Sequence, residues 1–244
     1  MIRAVTFDFW QTLMSERRGH MRELQIARWV DLLAKAGQPR GRAELEDAFA
    51  ENWRVFEDRW HANGGTWGAA QAVDLVGERM GLEFADGLRD SLIDGFRVVG
   101  ERAELMPAPG IEDCLLRLRA AGVRLGIVCD VGLTASPTLR FRLDGFGLLE
   151  YFDAWAFSDE TGWFKPAAEA FEPALQGLGV EPREAAHVGD NGRTDVAGAK
   201  ALGMVAVQYT GFSGAEGWGS DQAPSSAADH ILQDFAALPG IFGL

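Results

Sequence analysis

Apolar runs and helical periodicities alternate along the chain in an order that predicts an α/β protein. Residues 4–9 form a β-branched and aromatic run, which is typical of a buried strand. Between about residues 16 and 102, apolar positions recur at three- and four-residue steps, which predicts four helices around 24–33, 45–56, 69–80 and 88–99. After Pro107 the pattern changes to alternating helix and strand, as in parallel sheets with crossover helices.

The first strand precedes the helical segment, whereas its expected sheet partners follow that segment. The pattern predicts a helix over 111–120, and strands over 123–129, 154–157, 186–189, 204–208 and, at the edge, 228–232. Glycine-rich stretches predict loops at 61–66 and 211–226. The simplest architecture is a doubly wound, Rossmann-like parallel sheet core of residues 1–14 and 106–244, with a helical cap domain of residues 15–105 inserted into it.

Composition narrows the class of protein further. With 47% hydrophobic and 24% charged residues, the chain has the composition of a soluble globular protein. Two cysteines give no disulfide framework, and neither a signal peptide nor a membrane span is evident, so we expect a cytoplasmic protein. The net charge of −13 disfavours nucleic acid and membrane surfaces as partners, and arginines near residues 17–42 alternate with acidic residues as on a solvated helix. Oligomeric state stays open.

Three aspartates follow predicted strands, where α/β sheets bind ligands. Asp8 ends the first strand, and Asp190 and Asp195 follow the strand at 186–189. Each has an ordinary alternative role, since Asp195 could open the next helix as an N-cap and Asp190 could form a turn. If the three converge, each close pair repels by about 4 kcal/mol at an effective dielectric of 20, a cost that Mg²⁺ would remove.

Lys165 supplies a matching positive charge. It follows a turn at Ser158–Glu160 and precedes Pro166, which suits the first position of a helix. A surface lysine is the plain alternative. Three carboxylates, one Mg²⁺ and one ammonium sum to zero charge, so a phosphoryl group could approach this site without net repulsion.

These segments together resemble a known family. Asp8–Leu13, Val128–Asp130, Lys165–Pro166 and Gly189–Asp190 with Asp195 fall in the order and spacing of the four motifs of the haloacid dehalogenase-like hydrolase superfamily. The position of the helical insert resembles that superfamily's type 1 cap.

The resemblance implies roles for individual residues. Asp8 would be the nucleophile that forms an aspartyl-phosphate, and Lys165 would neutralise charge on Asp8 and on the phosphoryl oxygens. Mg²⁺ would be held by Asp8, the backbone carbonyl of Trp10, Asp190, and Asp195 through water.

Three positions depart from the pattern of the family's phosphatases, and we take all three as candidate substrate-binding residues. Trp10 stands where those enzymes carry a second aspartate as general acid, whose loss typically costs about 10²- to 10⁴-fold in rate. Cys129 replaces a serine or threonine, so it offers a weak donor or simply fills the core. Asp130 replaces an asparagine, which adds negative charge near an anion site unless it only caps the next turn.

The leading hypothesis is a Mg²⁺-dependent phosphatase acting on a small phosphorylated metabolite. It would favour good leaving groups or borrow an acid from His20 or His61. The aromatic residues Phe56, Trp53, Trp60 and Trp67 could line its substrate pocket or simply form the core of the insert.

Three alternatives remain open. A catalytically weakened binding protein would explain Trp10 and Cys129. A 2-haloacid dehalogenase would also carry an aromatic residue at position 10, but the family's dehalogenases lack an aspartate matching Asp190. A phosphonate-cleaving enzyme would need a cap lysine, for which the sequence offers Lys35, near a helix end.

Overall fold

A six-stranded parallel sheet forms the centre of the protein. The computed structural model describes residues 1–62, 66–213 and 223–244. Its strands are β1 Ala4–Phe7, β4 Arg124–Cys129, β5 Ala154–Phe157, β6 Ala185–Gly189, β7 Val205–Tyr209 and β8 His230–Leu232. They lie in the order β5-β4-β1-β6-β7-β8, and every neighbouring pair is parallel. The chain therefore adds strands on one side of β1 and then crosses to the other side.

Helices cover both faces of this sheet, because successive side chains of a buried strand point to opposite faces. On one face Val5 and Phe7 pack with α5 Ile111–Ala120, α6 Ser136–Gly145 and α10 Leu238–Ile241. On the other face Ala4 packs with α8 Glu172–Leu178 and α9 Ala197–Leu202. A single-turn helix, α7 Ser158–Thr161, follows β5 directly.

The described residues between 20 and 102 form four helices with an apolar core of their own. They are α1 His20–Lys35, α2 Arg42–His61, α3 Ala69–Met80 and α4 Asp86–Arg102. Trp29, at the centre of this cluster, packs edge-on against Phe49. Two short strands, β2 Met14–Glu16 and β3 Leu105–Pro107, form an antiparallel pair. They lie where the chain leaves the sheet for the four helices and where it returns. That the four helices act as a cap domain, with boundaries at 15 and 105, stays a prediction.

The structure confirms the α/β class with a parallel sheet. Strand and helix bounds shift by a few residues, and the edge strand at 228–232 is observed as β8. The loop expected at 61–66 begins later, because His61 is still the last residue of α2; residues 63–65 lie outside the described part of the chain. The loop expected at 211–226 is likewise described only at 211–213 and 223–226. Among the described residues, no helix has the length and apolar character needed to span a membrane.

Two leucines on α5 provide a test of the packing. Leu118 is completely buried in the core, whereas Leu116 on the same helix is 54% exposed. We expect Leu118→Ala to lower the free energy of unfolding by about 2–5 kcal/mol, because it leaves a cavity, and Leu116→Ala to change it by less than about 0.5 kcal/mol. Urea denaturation of both variants measures the difference. Equal effects would mean that α5 does not pack as described.

Candidate active site

The three aspartates meet at the carboxyl edge of the sheet, where the strand order reverses. Asp8 follows β1 directly, and its backbone N–H donates to Val188 of β6 at 2.9 Å. Phe7 of β1 pairs with Val188 of β6, so Asp8, which follows β1, lies beside Asp190, which follows β6. Each of Asp8, Asp190 and Asp195 offers an oxygen, and these oxygens lie within 4.8 Å of one another. The site is therefore at a topological switch point, where open α/β sheets bind ligands.

Lys165 is buried beside this cluster and contacts two of its three aspartates. Its Nζ donates to Asp8 Oδ1 at 2.6 Å, to Asp195 Oδ1 at 2.6 Å and to the Val128 carbonyl at 3.2 Å. The side chain is only 2% exposed. An ammonium has three N–H donors, so all three are used by groups of the protein. Its burial is tolerated because two charged partners contact it directly.

Asp195 also receives hydrogen bonds from two other groups. His187 Nε2 lies 3.0 Å from Asp195 Oδ1, and the Asn191 backbone N–H donates to Oδ2 at 3.0 Å. Because the ionised carboxylate can only accept, Nε2 carries the proton, and Nδ1 accepts from the Thr6 hydroxyl at 2.9 Å. Gly189 leaves room for this carboxylate, since a Cβ there would collide with the Asp195 side chain.

These surroundings separate the pKa values of the three aspartates. Burial raises the pKa of Asp8 to about 7, against the lowering effect of Lys165, and the charge of Asp195 raises it further. Burial and the charges of Asp195 and Asp8 raise the pKa of Asp190 well above its usual range. Burial acts in the same direction on Asp195, but Lys165 and His187 outweigh it and lower its pKa. Lys165 thus contacts both Asp8 and Asp195, but only at Asp195 do Lys165 and His187 together outweigh the effect of burial.

This donor set fits a hard divalent cation. Mg²⁺ prefers oxygen ligands and usually keeps several waters, so two carboxylates and one carbonyl suffice. The raised pKa values of Asp8 and Asp190 favour their protonated forms, and a divalent cation would instead favour the ionised forms that bind it. Asp195 already accepts three hydrogen bonds, which suits contact with the ion through water rather than directly.

Trp10 and Cys129 lie near Asp8. Trp10 is half-buried and packs edge-on against Phe9, with ring centroids 4.9 Å apart. Gln11, the next residue, has a left-handed backbone (φ 59°), which turns the chain sharply after Trp10. Cys129 ends β4 in the core, where burial raises the pKa of its thiol well above the usual value and the Phe9 backbone N–H bonds to it. A neutral, buried thiol agrees with core packing; substrate contact by either residue stays a prediction.

Asp130 connects the core with the helical insert. Its Oδ1 accepts from the Lys165 backbone N–H at 3.1 Å, and its Oδ2 accepts from the Trp60 indole N–H at 2.8 Å. Burial raises the pKa of Asp130 to about 6, although Lys165 lowers it. The end of α2 therefore lies over the same edge of the sheet as Asp8.

The other candidate aromatic residues divide between the interior and the surface; Phe56 and Trp53 are on α2, whereas Trp67 lies just before α3. Phe56 and Trp67 are buried with Phe164 of the core, and Phe56 meets Phe164 edge-on at 5.8 Å. Trp53 lies at the surface next to this cluster: it is 52% exposed and its indole N–H donates to Glu57, while its ring packs against Phe56 with centroids 5.1 Å apart.

The histidine and lysine candidates in the insert have other partners. His61 Nε2 lies 3.2 Å from Arg193 Nη1, beside the Asp190–Asp195 loop, whereas His20 Nδ1 lies 2.7 Å from Arg17 at the start of α1. Lys35 forms an exposed ion pair with Asp31 at 2.7 Å, so it has the surface role of a last-turn lysine.

One local expectation was wrong. Pro166 does not begin a helix; it lies in a turn ahead of a short 3₁₀ helix at Ala168–Ala170, because Asp130 holds the Lys165 backbone in this turn. The alternative role left open for Asp195, that of an N-cap, is not observed, since Asn191 accepts from the Arg193 N–H and caps the turn, leaving Asp195 to face Lys165. Sequence reasoning also missed His187, whose signal was a polar residue within an otherwise apolar buried strand.

Fold and site together define a hydrolase with a strand-end aspartate beside a buried lysine. A family model described as haloacid dehalogenase-like hydrolase matches residues 2–203. The chain belongs to this family.

Individual relatives agree with that assignment. Glyceraldehyde 3-phosphate phosphatase of Pyrococcus abyssi is 37% identical over 211 residues, 86% of this chain and 82% of that protein. Human haloacid dehalogenase-like hydrolase domain-containing protein 3 is 31% identical over 69% of this chain, but the match spans only 59% of the human protein. The crystal structure of a HAD phosphatase from Thermococcus onnurineus superposes with a TM-score of 0.70 at 26% identity, covering 99% of this chain and 98% of that one.

The raised pKa values of Asp8, Asp130 and Asp190 give the protein a defined pH dependence. A folded-state pKa above the unfolded value of 3.8 means that the folded state binds more protons, so stability falls as pH rises through this range. In chelator we expect these three groups to lower the free energy of unfolding between about pH 5 and 7, by up to about 1.4 kcal/mol per pH unit for each titrating group, while the single group His187, whose pKa burial lowers, acts in the opposite direction below its unfolded pKa of 6.5.

Urea denaturation at several pH values measures this slope. Asp8→Asn should make the slope shallower, and Mg²⁺ should do the same in the wild type because a cation favours the ionised carboxylates. A stability that rises between pH 5 and 7 in chelator, or an unchanged slope in Asp8→Asn, would contradict the described electrostatics.

Proposed function

We propose that this protein is a Mg²⁺-dependent phosphatase that acts on a small phosphorylated metabolite through an aspartyl-phosphate at Asp8. The observation that carries the proposal is the convergence of Asp8, Asp190 and Asp195 around Lys165. The name of the archaeal relative, glyceraldehyde 3-phosphate phosphatase, supports a phosphate ester of a small molecule as substrate.

The expected chemistry depends on which oxygen of Asp8 already accepts a hydrogen bond. Asp8 Oδ1 accepts from Lys165, so Oδ2 is the oxygen that would attack phosphorus and form the acyl-phosphate bond while the ester oxygen leaves. Lys165 holds the Asp8 carboxylate in place and balances charge as it develops on the phosphoryl oxygens. Water would then cleave the acyl-phosphate, releasing inorganic phosphate and restoring Asp8.

Mg²⁺ held by Asp8, Asp190 and the Trp10 carbonyl would stabilise negative charge on the phosphoryl group. Asp195 and His187 keep Lys165 in position rather than contact the substrate. In this proposal Asp195 is the fixed anion of the site.

The alternative functions receive less support from the site. A metal-free dehalogenase would not need Asp190, because without a cation its carboxylate would repel that of Asp8. Lys35 is exposed and paired with Asp31, which offers nothing for Schiff-base chemistry on a phosphonate. A purely binding role would not require a buried lysine shared by two carboxylates next to a candidate metal site.

The first functional prediction concerns Asp8. We expect Mg²⁺-dependent phosphate release from p-nitrophenyl phosphate, abolished by chelator and by Asp8→Asn, because the amide is neither a nucleophile nor a charged metal ligand. Beryllium fluoride with Mg²⁺ should form an adduct on Asp8 of the wild type alone. Asp31→Asn, which changes an exposed aspartate on α1, is the matched control and should retain activity. Undiminished turnover by Asp8→Asn would rule out the aspartyl-phosphate.

The second prediction concerns the missing acid at position 10. Without a carboxyl group there, an alkyl phosphate should be hydrolysed about 10²- to 10⁴-fold more slowly than an aryl phosphate, whose leaving group needs no proton. Trp10→Asp should raise the rate on the alkyl ester more than on the aryl ester. Steady-state rates on phenyl phosphate and glycerol phosphate measure both effects. Equal wild-type rates, unaltered by Trp10→Asp, would show that another group supplies the proton.

A further inference from the structure

Lys165 is held at both ends of its side chain. Its Nζ donates to Asp8 and Asp195 at 2.6 Å each, and its backbone N–H donates to Asp130 Oδ1 at 3.1 Å. A flexible four-carbon stem separates these two ends. The position of the ammonium therefore depends on where the backbone is held, and a shift of the backbone would lengthen its contacts with the two carboxylates.

Helix α2 of the insert contacts this segment at two points. Phe164, which precedes Lys165, is buried and packs edge-on against Phe56, with ring centroids 5.8 Å apart. The Trp60 indole N–H donates to Asp130 Oδ2 at 2.8 Å, so Asp130 joins α2 to the Lys165 backbone. Phe56 and Trp60 are four residues apart and lie on one face of the helix. One face of α2 therefore contacts both Phe164 and the carboxylate that holds Lys165.

Trp60 has neighbours that fix the direction of its indole. It stacks on Phe56 with ring centroids 6.0 Å apart, and on His61 with ring centroids 5.6 Å apart. His61 Nε2 in turn lies 3.2 Å from Nη1 of Arg193, on the loop after β6. The indole N–H is therefore directed at Asp130 by packing within α2 and by a contact between α2 and the core.

We propose that Trp60 and Asp130 are positioning residues: through them, the helical insert holds the Lys165 backbone and so directs its ammonium to the active-site carboxylates. Each oxygen of Asp130 accepts from one of the two donors, so removal of the indole N–H leaves a buried carboxylate oxygen without its partner. Asp130 would then turn towards another donor or water, and the Lys165 backbone would lose its fixed acceptor. The effect expected on catalysis rests on the proposed phosphatase function, whereas the effect on Lys165 does not.

Lysine NMR spectra test this role without any assay of activity. The chain has three lysines, Lys35, Lys165 and Lys200, so protein labelled with ¹³C-lysine gives three Cε signals. Lys35→Arg and Lys200→Arg, which change exposed residues, assign the signal of Lys165 by elimination. Trp60→Phe should shift or broaden the Lys165 signal and leave the other two unchanged. Measurement at about pH 8, above the pKa of about 6 of Asp130, keeps that carboxylate ionised.

Trp53→Phe is the matched control for kinetics and spectra. Trp53 is on the same helix and is 52% exposed, and its indole N–H donates to Glu57 rather than to the core. For hydrolysis of p-nitrophenyl phosphate, Trp60→Phe should lower kcat by about 10- to 100-fold with little change in KM, because Lys165 stabilises charge that develops in the transition state. Trp53→Phe should leave kcat, KM and the Lys165 signal unchanged.

A double variant tests whether Trp60 acts through Asp130. Asp130→Ala removes the acceptor of both N–H groups, so it should lower kcat at least as much as Trp60→Phe does. Adding Trp60→Phe to Asp130→Ala should then cause no further fall in kcat and no further change in the Lys165 signal, because the two residues act in series. Additive effects would mean that Trp60 acts on the site by another route, and would overturn the proposed role.

The outcomes separate this inference from the proposed function. Absence of p-nitrophenyl phosphate hydrolysis in the wild type would overturn the proposed function, and the lysine spectra would still decide the positioning role. A Lys165 signal that keeps its wild-type position in folded Trp60→Phe, checked by circular dichroism, would overturn that role, as would an equal change in Trp53→Phe. With hydrolysis present, an unchanged kcat in Trp60→Phe would also overturn it. If Asp130→Ala does not fold, the comparison of Trp60→Phe with Trp53→Phe decides.

Discussion

The buried ammonium of Lys165 is the constraint on which the rest of the site depends. A charge that is 2% exposed is tolerable only when strong partners surround it, and here Asp8, Asp195 and the Val128 carbonyl accept all three of its protons. Those three groups come from three segments of the chain. The ammonium can therefore be satisfied only when β1, β4 and the loop after β6 are assembled in register, so the stability of the fold and the geometry of the site are linked.

The local environment gives chemically identical aspartates different roles. Asp195 receives hydrogen bonds from Lys165, His187 and the Asn191 backbone, so it stays ionised. Lys165 also contacts Asp8, but burial raises the pKa of Asp8 more than Lys165 lowers it. Burial and the charges of Asp195 and Asp8 raise the pKa of Asp190. The same residue type thus supplies one fixed anion and two groups with charge available for a cation. Gly189 is part of this arrangement because any side chain there would displace Asp195.

The sequence predicted the α/β class, because apolar runs alternating with helical periodicity are a strong signal, and it predicted that Asp8, Asp190, Asp195 and Lys165 would share a sheet edge. It could not predict contacts made by the helical insert. The Trp60–Asp130 hydrogen bond joins residues 70 positions apart, and nothing local in either segment specifies it. The pairing of β2 with β3 was also not predicted, because strands of three residues are too short to show an alternating pattern of apolar and polar residues. The error at Pro166 arose because a tertiary partner, Asp130, outweighs the preference of proline for the first position of a helix.

The most direct test of this account is a crystal structure with Mn²⁺ as an anomalous scatterer in place of Mg²⁺. We expect one strong anomalous peak between the carboxylates of Asp8 and Asp190, with Lys165 still within hydrogen-bond distance of Asp8 and Asp195. A crystal in which the metal binds elsewhere, or in which Lys165 turns away from both carboxylates, would contradict it.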